Sequence, residues 1–327
     1  MEDCSQVPSA EVPPPAVQLP RPSILTRWYI EFRIWFGKKF FTQPSSKSEA
    51  DSPEGSSIVF GSGIVNLGFG QYLKRVSSVN EAMVMRHLQT HTIIPVPKIY
   101  GAWNWSNGRK ERCYLLMERV PGEDLRTAWP KLKKSQRMKI AHQIATVIRK
   151  LRNVPQPPEF RGVICSFVGG RMDDPGLNPV WYQGNDWFDS VEDFVDELLR
   201  PIAREEHRDL AVERDVLLRE QNRRLVLTHG DLTFRNIMVD PDTASLTGIV
   251  DWTTAAFMPI YWEAYKAEWG ERKLSRQKRE FIAAAHGTFP DELAILFRTD
   301  YAIAGKSTAI RRAEQLQRQQ PRPKHAL

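Results

Sequence analysis

Residues 225–251, LVLTHGDLTFRNIMVDPDTASLTGIVD, constrain this chain more than any other stretch. Two short apolar runs, Ile237–Val239 and Leu246–Val250, flank the turn-forming Pro241-Asp242-Thr243-Ala244-Ser245. That pattern specifies an antiparallel hairpin. Closing it sets Asn236, just before the first strand, across from Asp251, just after the second. Paired strands run about 4.8 Å apart, so an amide oxygen and a carboxylate meet at the spacing a bridging cation needs. Asp231, in the loop leading into the hairpin, enters the same end. Three oxygen-bearing side chains thus converge through one local fold, and the rest of the chain reads as its support.

A chain of 327 residues suffices for two domains or for two lobes of one. Residues 1–57 hold a Pro-rich tail over 1–22, a helix over 24–41 and a Ser/Pro/Gly/acid linker over 44–57. The tail composition predicts disorder. The helix, ILTRWYIEFRIWFGKKFF, is aromatic and basic, and such a helix either lies in a membrane interface or packs on the protein. Its apolar face is wide, which favours packing, with the aromatics shed into the core.

From 58 to 120 the pattern is β-rich. Strands are expected at Ile58–Phe60, Gly63–Leu67, Gln71–Val76, Lys98–Trp103 and Tyr114–Met117. A helix over 79–90 opens on the S-x-x-E capping box Ser78-Val79-Asn80-Glu81. Residues 121–301 read as mainly helical. Helices are expected at Asp124–Trp129, Ser135–Leu151 and Val191–Ile202, an exposed one within 204–222, then 260–269, 275–286 and 290–300. An irregular loop fills 153–186, and 302–327 is a basic tail. The expected class is α+β and bilobal, with a small β-rich N-lobe and a larger, mainly helical C-lobe.

The formal net charge of +7 invites a nucleic-acid reading. Yet Lys306, Arg311, Arg312, Arg318, Arg322 and Lys324, against Glu314 alone, place most of that excess in the tail. A solvated basic end is the simpler account, and no nucleic acid is expected. Cys4, Cys113 and Cys165 form neither a CxxC pair nor a metal-ligand spacing. With no signal-peptide pattern and no apolar run near the roughly 18–20 residues of a membrane span, the expectation is a cytoplasmic protein without stable membrane insertion.

His229-Gly230-Asp231-Leu232-Thr233-Phe234-Arg235-Asn236, followed by Ile249-Val250-Asp251-Trp252, resembles the aminoglycoside phosphotransferase family, which shares the protein-kinase-like fold with choline kinases. The resemblance extends over about 58–270. It is carried also by Ile94-Pro95-Val96-Pro97-Lys98-Ile99-Tyr100-Gly101-Ala102-Trp103, by Leu116-Met117-Glu118 with Pro121-Gly122, and by Met258-Pro259-Ile260-Tyr261-Trp262-Glu263. These strings look most like the fungal-type branch.

The resemblance implies transfer of the γ-phosphoryl of ATP, with Mg²⁺, to a hydroxyl. Phosphoryl transfer asks a protein to position reactants and neutralise spreading charge. Asp231 would accept or orient the acceptor proton. Asn236 and Asp251 would hold Mg²⁺, a hard cation that takes oxygen ligands. His229 reads as a hydrogen-bonder that holds the loop. Family position assigns Lys74 rather than Arg75 to the α/β-phosphates, with Glu81 as its ion-pair partner or, equally local, as the capping-box acid. Met117, Glu118 and Val120 fall in the linker whose backbone reads adenine. The glycines between Phe60 and Gly70 fit no clean G-x-G-x-x-G, and they suit hairpin turns as well as a phosphate-covering loop.

Only about eight residues separate Asp251 from the helix near 260, with none of the long activation segment or A-P-E of a protein kinase. A small-molecule hydroxyl is therefore the expected acceptor. Asp173, Asp174, Glu192, Asp193, Asp196 and Glu197 make either an acidic cleft, which in the family suits cationic amines, or merely a solvated helix face and a turn. Thr253-Thr254 stands where fungal-type members often carry an acid, which keeps a second reading open: a kinase-like binding or scaffold protein with weak catalysis.

Overall fold

The computed structural model describes residues 19–40, 63–76, 78–106, 111–174, 177, 187–206, 210–271 and 274–302. The Pro-rich tail up to 18, the linker 44–57, the strand expected at Ile58–Phe60 and the basic tail beyond 302 lie outside the described residues.

The small lobe is a four-stranded antiparallel sheet of β1 (Ile64–Gly68), β2 (Gln71–Val76), β3 (Ile99–Ser106) and β4 (Glu111–Glu118), in the order β1-β2-β4-β3. Strand alternation sorts its side chains. Tyr72 and Val76 join the main core on the inner face, whereas Leu73 packs outward with Val65, Leu67 and Leu116. Lys74 shares the inner face by parity, while Arg75 is exposed. Helix α1 (Ile24–Phe40) lies over the outer face, and α2 (Asn80–His91) follows β2 on the inner side.

Helix α1 departs from expectation. Among its described side chains, Ile24 to Arg33, Ile30 alone is fully buried, against that outer cluster. Ile24, Leu25, Trp28, Tyr29 and Phe32 stay exposed. A wide apolar stripe shows that a helix is amphipathic, not what covers it.

The larger lobe contains α3 (Leu125–Ala128), α4 (Lys134–Leu151), α5 (Val191–Glu206), α6 (Ala211–Leu217), α7 (Glu220–Arg223), α8 (Trp262–Trp269), α9 (Arg276–His286) and a helix over 290–302. The single exposed helix expected within 204–222 is instead two short ones, because Leu210, Leu217 and Asn222 are buried. Two small sheets complete the lobe. One joins β5 (Glu123–Asp124) to the hairpin of β8 (Ile237–Asp240) and β9 (Ser245–Ile249). The other joins β6 (Cys165–Ser166), β10 (Ala256–Pro259) and β7 (Leu225–Thr228) in the order β6-β10-β7. The residues after Asp251 are thus spent on a buried strand that pairs with β7 on one side and β6 on the other.

The two lobes share one apolar core. Met85, Leu88, Leu115 and Met117 from the small lobe pack in the same cluster as Ile144, Val147, Leu151, Leu227 and Ile249.

Candidate active site

The site grows from the end of the β8–β9 hairpin. Ile237 pairs with Ile249, and the Val250 N–H donates to the Asn236 carbonyl at 3.0 Å. Asn236 therefore lies opposite Val250, and Asp251 falls one residue past the position expected for it. The hairpin shifts by one between Met238 and Val239, with Thr247 as the extra residue, and this brings Asn236 opposite Val250 rather than Ile249; the expected pairing with Asp251 would need one residue more. Asp251 then turns into the left-handed region at φ 67°, a conformation aspartate tolerates.

Asp231 and Asn236 meet directly. The Asn236 Nδ2 donates to the Asp231 carbonyl at 2.7 Å and to Asp231 Oδ2 at 2.8 Å. Arg235 donates to the same Oδ2 at 2.7 Å. Two donors on one carboxylate oxygen fix its orientation. Because Asn236 spends its amide hydrogens on Asp231, its Oδ1 is the atom turned away from that contact.

His229 locks the loop to the hairpin. Its ring is fully buried, with Nε2 3.0 Å from the Val250 carbonyl and Nδ1 3.2 Å from the Asp231 N–H. A carbonyl partner requires a proton on Nε2, and an N–H partner requires a bare Nδ1, so the ring is the neutral Nε2–H tautomer. Burial pushes its pKa down, which keeps it so. Both nitrogens are committed to backbone, the loop-holding role expected of this histidine. From below, Glu263 on α8 accepts from the His229 N–H at 2.5 Å and the Gly230 N–H at 3.4 Å. Thr254 donates to the His229 carbonyl at 2.8 Å. Gly230 is required here: at φ 75° a Cβ would stand 2.6 Å from the Thr254 carbonyl oxygen.

A second cluster crosses between the lobes. Lys74 Nζ lies 2.7 Å from Glu81 Oε1 and 2.7 Å from Asp251 Oδ1. Thr253 donates to Glu81 Oε2 or to Asp251 Oδ1, each 2.9 Å away, and stands 3.4 Å from Lys74 Nζ. Burial alone would lower the Lys74 pKa, but Glu81 and Asp251 outweigh it and hold the ammonium charge firmly. Burial likewise pushes Asp251 up, and Lys74 more than reverses the shift. Glu81 is pushed up by burial against the pull of Lys74. Two carboxylates secure the lysine charge, whereas one cation opposes full desolvation of Glu81, so the lysine is the more firmly ionised partner.

Glu81 thus faces Lys74 and Thr253, and the expected capping box does not form. The cap position falls on Val79 without a side-chain cap bond, and the Ser78 hydroxyl accepts from the Asn80 N–H at 3.3 Å. Asn80 ties α2 to the larger lobe instead, donating to the Ala255 carbonyl at 2.8 Å.

In the linker, Met117 and Val120 are buried and Glu118 is half-buried. The Glu118 N–H donates to the Lys98 carbonyl at 2.8 Å, and a Cβ at Gly248 of β9 would come within 2.7 Å of Val120 Cγ1. Glycine at 248 therefore lets the linker press onto the hairpin. The glycine-rich approach to β1 is described only from Gly63, and Gly68, Phe69 and Gly70 form the β1–β2 turn, all at positive φ.

Each acid of the supposed cleft has an internal partner. Asp174 is buried against Lys266 Nζ at 2.5 Å and Trp262 Nε1 at 3.0 Å. Asp173 pairs with Arg171, Asp196 with Arg214, Glu192 with Arg223 and Glu197 with Arg200. Asp193 accepts from the Ser190 hydroxyl at 2.6 Å. Sequence reading also passed over Thr253 as a donor and Glu263 as a loop support, since neither carries a local signal of its long-range partner.

A family model described as the phosphotransferase enzyme family matches residues 71–296. Among solved structures, the chain is similar to a variant of aminoglycoside 2'-phosphotransferase IIIa in its GDP complex, at 14% identity over 84% of this chain and 88% of that one, with a TM-score of 0.50. It is also similar to aminoglycoside 3'-phosphotransferase of type VIII, at 20% identity over 77% and 92% of the two chains, with a TM-score of 0.43. A Streptomyces rimosus aminoglycoside phosphotransferase in complex with ADP and streptomycin matches at 18% identity over 71% and 86%, with a TM-score of 0.42. No curated protein matches the chain. The likeness to the first of these structures is one of fold, whereas the family match runs through both lobes and both clusters of the site. The chain belongs to the phosphotransferase enzyme family, the group that contains the aminoglycoside phosphotransferases.

Proposed function

We propose that this chain transfers the γ-phosphoryl of ATP, with Mg²⁺, to a hydroxyl of a small molecule. The observation that carries the reading is the cross-lobe cluster, in which Lys74 of the small lobe reaches Asp251 of the larger one at 2.7 Å and Glu81 at 2.7 Å. Residues 58–120 then act as the nucleotide-covering lobe, and 121–301 supply the base and the metal ligands, with 1–57 and 302–327 outside the catalytic body.

Asp251 offers a carboxylate, and Asn236 offers an Oδ1 freed by the commitment of its Nδ2 to Asp231. Both are hard oxygen donors, the set that Mg²⁺ takes. Bound Mg²⁺ supplies neutralisation of the charge on the phosphoryl oxygens. Asp231 receives or orients the acceptor proton, and Asn236 with Arg235 holds its carboxylate in one orientation. Glu81 and Thr253 keep Lys74 and Asp251 aligned, so that the Lys74 ammonium is available to the α- and β-phosphates. Met117, Glu118 and Val120 line the adenine edge through their backbone.

Acceptor choice follows from what is already engaged. Of the acids suited to a cationic acceptor, Asp174 is buried and committed to Lys266 and Trp262, whereas Asp196 and Glu192 form solvent-exposed pairs. The Lys74–Glu81–Asp251 cluster and the Asp231–Asn236 contact support the phosphotransferase reading over a binding or scaffold protein. The test is Asp231→Asn, assayed for Mg·ATP-dependent ADP release over a panel of metabolites and aminoglycosides. Transfer is expected to vanish while Mg·ATP still raises the melting temperature. Retained turnover in that variant would overturn the mechanism.

A further inference from the structure

Helix α1 lies ahead of the residues that the family match covers, so the family carries no role over to it. Ile30, fully buried against Val65, Leu67, Leu73 and Leu116, fixes the helix to the outer face of the small sheet. Arg33, on the same side, spends its guanidinium on the β1–β2 turn. Its Nη2 donates to the Leu67 carbonyl at 3.0 Å, the Gly68 carbonyl at 3.4 Å and Gln71 Oε1 at 3.3 Å. The guanidinium carbon stands 5.2 Å from the centre of the Phe69 ring, and Nη1 donates to the Tyr29 hydroxyl at 2.7 Å. One side chain therefore touches both ends of the turn and its tip. The turn needs such holding. Gly68, Phe69 and Gly70 lie at φ 74°, 51° and 71°, and a phenylalanine in the left-handed region persists only where its surroundings impose that conformation.

The same turn joins the two parts of the small lobe assigned to the nucleotide. On one side, the Gly70 carbonyl accepts from the Arg119 N–H at 2.8 Å, and Gln71 and Tyr72 pair with Glu118 and Met117. These partners belong to the linker assigned to the adenine edge. On the other side, β2 runs on from Gln71 to Lys74, about 10 Å along at about 3.3 Å per residue. There the ammonium pairs with Glu81 and Asp251. The adenine edge and the phosphate lysine thus hang from one turn, and that turn hangs from Arg33. A nucleotide must meet both at once, so its affinity depends on their separation being fixed before it binds.

We propose that Arg33 is a positioning residue for the nucleotide: by clamping the β1–β2 turn from α1, it holds the linker and Lys74 at the separation that Mg·ATP requires. The inference rests on the phosphotransfer reading above. It is tested by calorimetric titration of the full chain with Mg·AMP-PNP, which needs no acceptor. Arg33→Gln is expected to weaken binding about tenfold, the effect of losing one charge-assisted hydrogen bond. Arg33→Lys should recover part of that loss. Tyr29→Phe removes only the partner of Nη1 at a half-exposed residue, and should weaken binding about threefold; it decides the matter alone if Arg33→Gln does not fold. Tyr29→Phe/Arg33→Gln should bind as Arg33→Gln does, because both changes act through one clamp. Hydrogen exchange at the Arg119 amide should quicken in Arg33→Gln. A merely structural role would lower the melting temperature of the free protein and leave the affinity unchanged, and that result overturns the proposal. So do losses that add in the double variant. Variants that bind Mg·AMP-PNP as wild type does overturn the clamp alone, whereas a wild type that binds none overturns the phosphotransfer reading with it.

Discussion

Glu263 allows a quantitative test of how the loop that carries Asp231 is held. Its carboxyl is 2% exposed, and Oε2 takes the His229 and Gly230 N–H groups while Oε1 is buried without a hydrogen-bond partner. Burial pushes its pKa from the ordinary 4.5 up to about 7, against the opposing pull of those two N–H groups and Arg152. The folded-state value lies above the unfolded one, so the native protein keeps a proton that the unfolded chain has lost. The associated stability is fully present below pH 4.5 and is lost as the pH rises to about 7. At about 1.4 kcal/mol per pH unit, that window amounts to about 3 kcal/mol. Glu263→Gln keeps the volume and an acceptor oxygen but never ionises, so its own cost is a constant offset. His229 and His286, both held neutral by burial, lose stability at acid pH in both proteins and cancel in the difference. Urea denaturation across this range should therefore show the advantage of wild type over Glu263→Gln shrinking by about 3 kcal/mol from the acid to the neutral end. A difference flat to within about 0.5 kcal/mol, near the precision of the extrapolation, would refute the buried-carboxyl argument.

Two further outcomes follow from the geometry. Thr253→Val deletes the hydroxyl shared by Glu81 and Asp251, and a lost hydrogen bond to a charged group is worth about 1.5–3 kcal/mol; kcat should fall about tenfold or more in steady-state ADP-release kinetics, with Thr253→Ser restoring most of it, and an unaffected Val variant would remove Thr253 from the positioning role. Gly230→Ala forces a Cβ to 2.6 Å from a carbonyl oxygen at φ 75°, so urea unfolding should show a loss of about 2 kcal/mol or more, and a neutral result would mean that the loop relaxes freely.

The hairpin was readable because two apolar runs and a turn are local signals, and pairing then carries them to the site. The exact register was not: the pairing from Asp240↔Ser245, with its one-residue shift between Met238 and Val239, sets Asn236 against Val250 and leaves Asp251 one residue beyond. Alternation allowed only one of Lys74 and Arg75 to turn inward, and the family resemblance rather than the pattern chose Lys74, which shares its parity with the inward Tyr72 and Val76. Strand β10 escaped notice because Ala256, Phe257, Met258 and Pro259 are all buried, and a strand covered on both faces shows no alternation. Thr253 and Glu263 act on residues of distant sequence position, and no local pattern announces such partners. For α1 the helix itself was legible. Its exposure was not, because a sequence records which face is apolar but not which neighbour arrives to cover it.

The core that runs without interruption from Met85 and Leu88 to Ile144 and Ile249 bears on how the molecule comes apart. The Ile249 N–H reaches the Pro95 carbonyl at 2.8 Å, and Asn80 spans to Ala255, so the small sheet is sewn to the hairpin by polar bonds as well as by apolar contact. A cut in the chain near the linker would expose apolar surface on both halves and leave donors unanswered. The boundary between lobes is accordingly a boundary of shape, and folding cooperativity ignores it: the described body should melt as one unit, and neither half should persist as a folded fragment.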